Sequence, residues 1–343
     1  MAETTPITVL TGFLGAGKTT LLNYLLRQPE FARTAVLVNE FGEVGLDHLL
    51  VEKLDENTVL LNAGCLCCTV RGDLVRALRE MLPRARRGEI TRIVIETTGL
   101  ADPAPILATL MTDPVAASVY RLDGVVTVVD ALFGEAHLDA QGEAVRQVAV
   151  ADRIVLSKTD LADSASLRPR LHRLNPGAPV IEGRRGVIDP AIILNAGLFD
   201  PARKIPDVAG WLAAEAFAVA AHDHDHDHDR NRHDAHIAAF CITLDQPVHW
   251  QGLGTWLEML VATNGANLLR IKGILNLQGQ DRPVAIHGVQ HVMHPPTLLA
   301  GWPDGDPRTS RLVFITRDLP RAVVEDGLRA FEGAARDAVP LAG

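Results

Sequence analysis

Gly12, Phe13, Leu14, Gly15, Ala16, Gly17, Lys18 and Thr19 follow the spacing G-x-x-x-x-G-K-T. A chain with that spacing can wrap its backbone N–H groups around phosphates, and a helix starting at the lysine adds its positive dipole end. Lys18 would reach the β- and γ-phosphates, Thr19 would hold Mg²⁺ through its hydroxyl, and Thr20 would support the α-phosphate side. The bland alternative is a glycine-rich turn capping a helix. The apolar run before the loop and the helical pattern after it favour the phosphate cradle.

A triphosphate site also needs an acid near the metal. Glu96 closes an apolar run and is followed by Thr97, Thr98 and Gly99, so its carboxylate would act on Mg²⁺ directly or through water, and the Gly99 amide could register a γ-phosphate. The competing reading is an acidic strand end at the surface. Ser157, Lys158, Thr159 and Asp160 follow another apolar run. The Asp160 carboxylate can accept from both N1–H and the 2-amino group of guanine while the Lys158 stem lies along the ring, and adenine offers no such donor pair. A surface turn is the alternative here.

Cys65, Cys67 and Cys68 crowd into four residues. Thiols this close bridge only with strain, so a metal or redox site is the better reading. Three thiolates suit zinc and leave one tetrahedral position open, as a transferable ion requires. Buried reduced thiols and a redox pair remain as alternatives, and Cys241 is expected in the core. Residues 222–236 form a low-complexity polar tract, and the alternating His-Asp run from His222 to Asp229 within it suits weak, promiscuous metal binding or a solubilising linker. His287, His291 and His294 are further candidates to assist, although scattered histidines are more often structural.

The elements that must position these residues follow from hydropathy. Short β-branched apolar runs at 7–10, 35–38, 92–95, 125–129 and 153–156 read as strands buried on both faces. Helical spacing fills 18–28, 72–87 and 164–174. Alternation of this kind predicts an α/β domain, a mostly parallel sheet with helices on both faces. The pattern stops near Pro206, where a helix at 207–221 leads into the His/Asp tract. Beyond it, strands at 237–244, 268–277, 283–292 and 311–316 with helices at 250–262 and 321–335 predict a small α+β domain. The expected domains are therefore 1–205, a linker over 206–236, and 237–343.

Composition narrows the classes. A chain of 343 residues, 47% hydrophobic and 22% charged, reads as folded with two domains. The net charge of -9 argues against nucleic acid. No run approaches the roughly 18 to 20 apolar residues needed to cross a bilayer, and the start lacks the basic character of a signal peptide, so a cytoplasmic location without membrane attachment is expected.

In these motifs the chain resembles the CobW-like GTPases, relatives of the HypB and UreG metallochaperones. The resemblance rests on residues 12–19, on Asn39, Glu40, Phe41, Gly42 and Glu43, on Gly64 to Cys68, on 96–103 and on 157–160, and it extends over nearly the whole chain. It implies a P-loop GTPase that carries a metal on its cysteine motif, with hydrolysis driving transfer to client apo-enzymes. Glu40 and Glu43 become candidates to bridge nucleotide and metal, against the alternative of an ordinary solvated acidic loop. The C-terminal domain is expected to contact clients or a second copy. The family's guanine motif usually begins with Asn, where this chain has Ser157. Zinc is the favoured ion. Cobalt delivery linked to cobalamin synthesis is the rival within the family, and a metal-buffering protein with a vestigial nucleotide site is the rival outside it. With no general base or arginine finger identifiable, unassisted turnover should be slow.

Overall fold

A computed structural model describes residues 4–39, 61–62, 70–194, 236–303 and 305–337. These residues form two compact units, 4–194 and 236–337.

In the first unit, strand β1 (Thr5–Gly12) runs into helix α1 (Lys18–Leu26), followed by β2 (Thr34–Asn39), β3 (Leu61–Asn62), α2 (Val70–Arg86), β4 (Arg92–Thr97), α3 (Ala104–Thr112) and α4 (Pro114–Val119). Then come β5 (Tyr120–Asp130), α5 (Gly134–Ala140), α6 (Gly142–Ala149), β6 (Arg153–Ser157), α7 (Leu167–Leu174), β7 (Val180–Gly183) and α8 (Pro190–Ile193). The strands line up as β3-β2-β4-β1-β5-β6-β7, with every neighbouring pair parallel. Every residue of β1 and β4 is buried, as expected for strands covered on both faces. Leu21, Leu22 and Leu25 of α1 enter a core with Leu10, Val36, Val94, Val126 and Val155. The chain leaves β1 toward β2 on one side and later stacks β5, β6 and β7 on the other. A parallel sheet that reverses direction in this way opens a crevice beyond the carboxyl ends of its central strands.

The five strands expected in this unit are all present; four extend a residue or two beyond the apolar run that signalled them, and β5 begins five residues earlier, at Tyr120. The expected helix at 18–28 ends at Leu26, because Pro29 opens a short 3₁₀ turn. Residues 164–166 lie before α7, and the Asp163 carboxylate there accepts from the Ala165 N–H.

The second unit contains β8 (Ile237–Leu244), α9 (Trp250–Asn264), β9 (Leu268–Leu275), β10 (Val284–Val289), β11 (Val292–Met293), β12 (Thr297–Leu298), β13 (Ser310–Arg317) and α10 (Arg321–Asp337). Its antiparallel sheet has the order β11-β10-β9-β13-β8, and β12 pairs with β10. Trp256 of α9 stands edge-on to Phe314 with centroids 6.1 Å apart, and Phe314 stacks on Phe240 at 5.5 Å. The expected strand at 283–292 breaks at Gln290, whose φ of 51° turns the chain into β11. The buried Glu332 of α10 accepts from the His249 N–H at 3.1 Å, so a side chain of one helix caps the start of the other. Cys241 lies half-buried on β8, where burial pushes its thiol pKa up, as befits an inert packing residue. No helix among the described residues is long and apolar enough to cross a membrane.

The candidate helix at 207–221, the tract from His222 to His233, Glu40, Glu43, Cys65, Cys67 and Cys68 lie outside the described residues.

Candidate nucleotide site

β1 delivers its last residue, Gly12, to the crevice with φ 141°. A Cβ there would fall 2.2 Å from the Val128 carbonyl of β5, so only glycine fits. The loop closes with an Ala16 N–H to Phe13 carbonyl bond, passes Gly15 and enters α1 through the left-handed Gly17.

Lys18 is buried, with 8% of its surface exposed. Its Nζ donates to the Gly12 carbonyl at 2.9 Å and the Phe13 carbonyl at 3.2 Å, folding the ammonium over the loop whose phosphates it would neutralise.

Thr19 donates from Oγ1 to Glu96 Oε1 at 2.8 Å. Glu96 is 4% exposed and sits in register with Leu10 of β1 and Val38 of β2, so it is no surface strand end. Hydroxyl and carboxylate meet beside the phosphate loop, and this hard oxygen pair suits Mg²⁺. Just beyond, the Thr97 hydroxyl donates to Thr11 Oγ1 at 2.8 Å and joins β4 to β1.

The Gly99 backbone lies against the phosphate loop. A Cβ at Gly99 would sit 2.5 Å from the Leu14 nitrogen. Behind it, the buried Gln147 of α6 donates to the Gly99 carbonyl at 3.2 Å and the Ala101 carbonyl at 2.9 Å.

At the base end of the crevice, the Ser157 hydroxyl donates to the Ala16 carbonyl at 2.6 Å and approaches the Val129 carbonyl at 3.3 Å. It thereby ties the end of β6 to the phosphate loop. Lys158 adopts φ 57°, and its Nζ donates to Asp130 Oδ2 at 2.5 Å. The same ammonium stands 5.9 Å from the Phe133 ring centre. Asp160 is 3.7 Å from the Arg185 Nε. Leu132, Phe133 and Leu161 are exposed around this carboxylate and ammonium, a mixture of apolar faces and one polar anchor that suits a flat base. Thr20 is exposed on α1, with Gly186 packed against its backbone and methyl. The His137 ring lies 4.5 Å from that of Phe13, and burial pushes its imidazole pKa down against the pull of Asp130, which favours the neutral ring.

Lys18, Thr19, Glu96 and Gly99 therefore gather at the phosphate loop, with Ser157 at the end of β6 and Lys158 and Asp160 on the loop after it. Sequence reasoning missed Asp130, Phe133, Gln147 and Arg185. Asp130 ends the apolar run of β5 just as Glu96 ends that of β4, so the same rule could have found it. Gln147 lies within a helix and carries no local signal. His287 is buried in β10, with its ring centre 4.6 Å from that of His294, and His291 is exposed. Among the described residues, no group of three or more His, Cys, Asp or Glu side chains is placed to hold a metal.

Residues 6–182 match the CobW/HypB/UreG nucleotide-binding domain, and 237–332 match the cobalamin synthesis protein cobW C-terminal domain. The chain is 36% identical to the zinc chaperone YjiA of Escherichia coli over 330 residues, covering 94% of this chain and 96% of that one. It is 40% identical over 194 residues to the zinc-regulated GTPase metalloprotein activator 1 of Schizosaccharomyces pombe, covering 54% of this chain and 47% of that one. The crystal structure of zinc-bound YjiA GTPase from E. coli superposes with a TM-score of 0.68 at 29% identity, covering 96% of this chain and 99% of that one. Sequence, topology and phosphate loop agree, and the chain belongs to the CobW/HypB/UreG family.

Proposed function

We propose that this protein is a GTP-hydrolysing metallochaperone that binds zinc through Cys65, Cys67 and Cys68 and delivers it to client metalloproteins. The observation that carries the nucleotide half is the convergence of Lys18, Thr19 and Glu96 on one glycine loop, with the Thr19–Glu96 contact at 2.8 Å. The cargo half is supported by the names of the relatives, a zinc chaperone and a zinc-regulated metalloprotein activator.

In this reading Gly12, Gly15, Ala16 and Gly17 offer backbone N–H groups to the phosphates, Lys18 neutralises charge there and Thr20 supports the α-phosphate side. Thr19 and Glu96 would hold Mg²⁺, which supplies charge neutralisation between the β- and γ-phosphates when bound. The Gly99 amide registers the γ-phosphate. Asp160 accepts from the guanine edge and the Lys158 stem covers the ring. Ser157 contributes by holding Ala16 in place, the position where the family's Asn would stand. Glu40 and Glu43 link this site to the cysteines. The nucleotide domain ends near residue 205 and the C-terminal domain begins near 237, with residues 206–236 as the linker in sequence. The C-terminal domain meets clients or a second copy of the chain.

Base choice has a direct test. Asp160→Asn should lower GTP affinity about 10²-fold, since the amide keeps one acceptor but loses the charge and turns a donor toward the guanine 2-amino group. XTP binding should rise, because an amide can donate to the carbonyl that xanthine carries in place of the 2-amino group. Competition binding that shows unchanged GTP affinity and no gain for XTP places the base elsewhere.

The metal assignment is tested by equilibrium dialysis with zinc and with cobalt on untagged protein. Deleting 222–236 should remove weakly bound ions and spare one tight ion, and the triple change Cys65→Ala, Cys67→Ala, Cys68→Ala should remove the tight one. Loss of the tight ion on deletion of the tract moves the principal site to the linker, and a preference for cobalt replaces zinc as the cargo.

A further inference from the structure

Gln147 is 1% exposed, in the interior between α6 and the loop that follows β4. Its side-chain amide spends its donors on two carbonyls of that loop, Gly99 at 3.2 Å and Ala101 at 2.9 Å. Its own backbone carbonyl accepts from the Thr127 hydroxyl of β5 at 2.7 Å, which anchors α6 to the strand beside β1. The adjacent Arg146 places Nε 3.1 Å from Asp102 Oδ2, and Asp102 Oδ1 accepts the Ala104 N–H at the start of α3. On its other side the loop is pinned, because Gly99 touches the Leu14 backbone too closely to carry a side chain. The segment from Gly99 to Asp102 is thus clamped between the phosphate loop and α6.

We propose that Gln147 is a positioning residue that fixes the Gly99 amide for the γ-phosphate and so sets the preference for GTP over GDP. This rests on the reading of Gly99 as the γ-phosphate sensor. The physical reason is that an N–H can reward the third phosphate only if it is already aimed when the nucleotide arrives. Two hydrogen bonds from one buried amide restrict the loop from behind without touching nucleotide. GDP makes no demand on Gly99, so the clamp affects one nucleotide and spares the other. It also gives the sensor a mechanical connection: displacing Gly99 breaks its bond to Gln147 unless α6 moves with it.

The test is calorimetric binding of GDP and of a non-hydrolysable GTP analogue to the full chain, with melting curves for each variant. Gln147→Met keeps the volume and removes both donors. The expected result is about tenfold weaker binding of the GTP analogue, with GDP affinity within about twofold of the parent. Arg146→Met, which removes the ion pair to Asp102 and leaves the volume filled, should move the same ratio in the same direction and carries the test if Gln147→Met does not fold. Equal losses for both nucleotides, or an unchanged ratio in a parent that discriminates, overturn the proposal alone. A parent that does not distinguish the two nucleotides overturns the Gly99 reading and the proposal with it.

Discussion

Replacing Lys18 with alanine is expected to reduce GTP hydrolysis about 10²- to 10³-fold, the scale seen when one preorganised donor to a developing charge is removed. The ammonium already sits over the loop, held by the Gly12 and Phe13 carbonyls at 2.9 and 3.2 Å, so it meets the phosphates without being drawn from solvent. The same burial gives the variant a second effect. With Nζ gone, two loop carbonyls lose a donor, each bond contributing about 1 kcal/mol. The melting temperature should therefore fall by about 2–4 °C for each kcal/mol lost in a unit of this size, while the fold survives. Phosphate release and a melting curve on the same preparation separate the two effects. Near-parental turnover in folded Lys18→Ala protein removes the phosphate-loop assignment altogether.

The strands of the nucleotide unit were legible because burial on both faces leaves a run such as Ile7 to Leu10 or Val125 to Val129 without a charged residue, its one polar position in each case a β-branched threonine. The neighbouring elements were harder to read for the same physical reason in reverse. β7 is only partly buried, and β3 is two residues long. α3 carries buried apolar residues over most of its length, so its pattern lacks a polar face to set a period. In the C-terminal unit, alternation in β8 and the amphipathic α10 gave boundaries within two residues of those found.

Site residues at strand ends were legible, since a polar residue terminating an apolar run marks the carboxyl edge of the sheet, as Glu96 and Ser157 do. What those side chains do there was less so. The sequence places Ser157 where a base contact is expected, yet its hydroxyl turns inward to Ala16. Lys18 is buried, and the spacing of the loop says nothing about how far its side chain folds back. Contacts such as Gln147 to Gly99 join residues 48 apart and leave no local trace.

The second large effect expected is reciprocal coupling between GTP and zinc. β2 ends at Asn39 opposite Thr97 of β4, and Asn62 of β3 pairs with Val38 of β2. The segments carrying Glu40 and Glu43, and Cys65, Cys67 and Cys68, thus leave the sheet from neighbouring strand ends, on the carboxyl edge where Gly12 opens the phosphate loop. Strand ends on one edge share the ligand crevice. A γ-phosphate that orders the chain after Asn39 should alter the geometry available to the three thiolates, and linkage then requires zinc to change GTP affinity by the same factor. Coupling energies of this kind run about 1 to 3 kcal/mol, or roughly 5- to 150-fold, which competition against a fluorescent zinc chelator resolves. The triple change Cys65→Ala, Cys67→Ala, Cys68→Ala should erase the zinc dependence of GTP binding and leave binding itself in place. Tighter zinc binding with the GTP analogue than with GDP makes hydrolysis the releasing step, because loss of the γ-phosphate then weakens the hold on the ion. The opposite order makes hydrolysis the loading step. Identical zinc affinity with analogue, with GDP and without nucleotide leaves hydrolysis nothing to transmit, and metal buffering then becomes the better account.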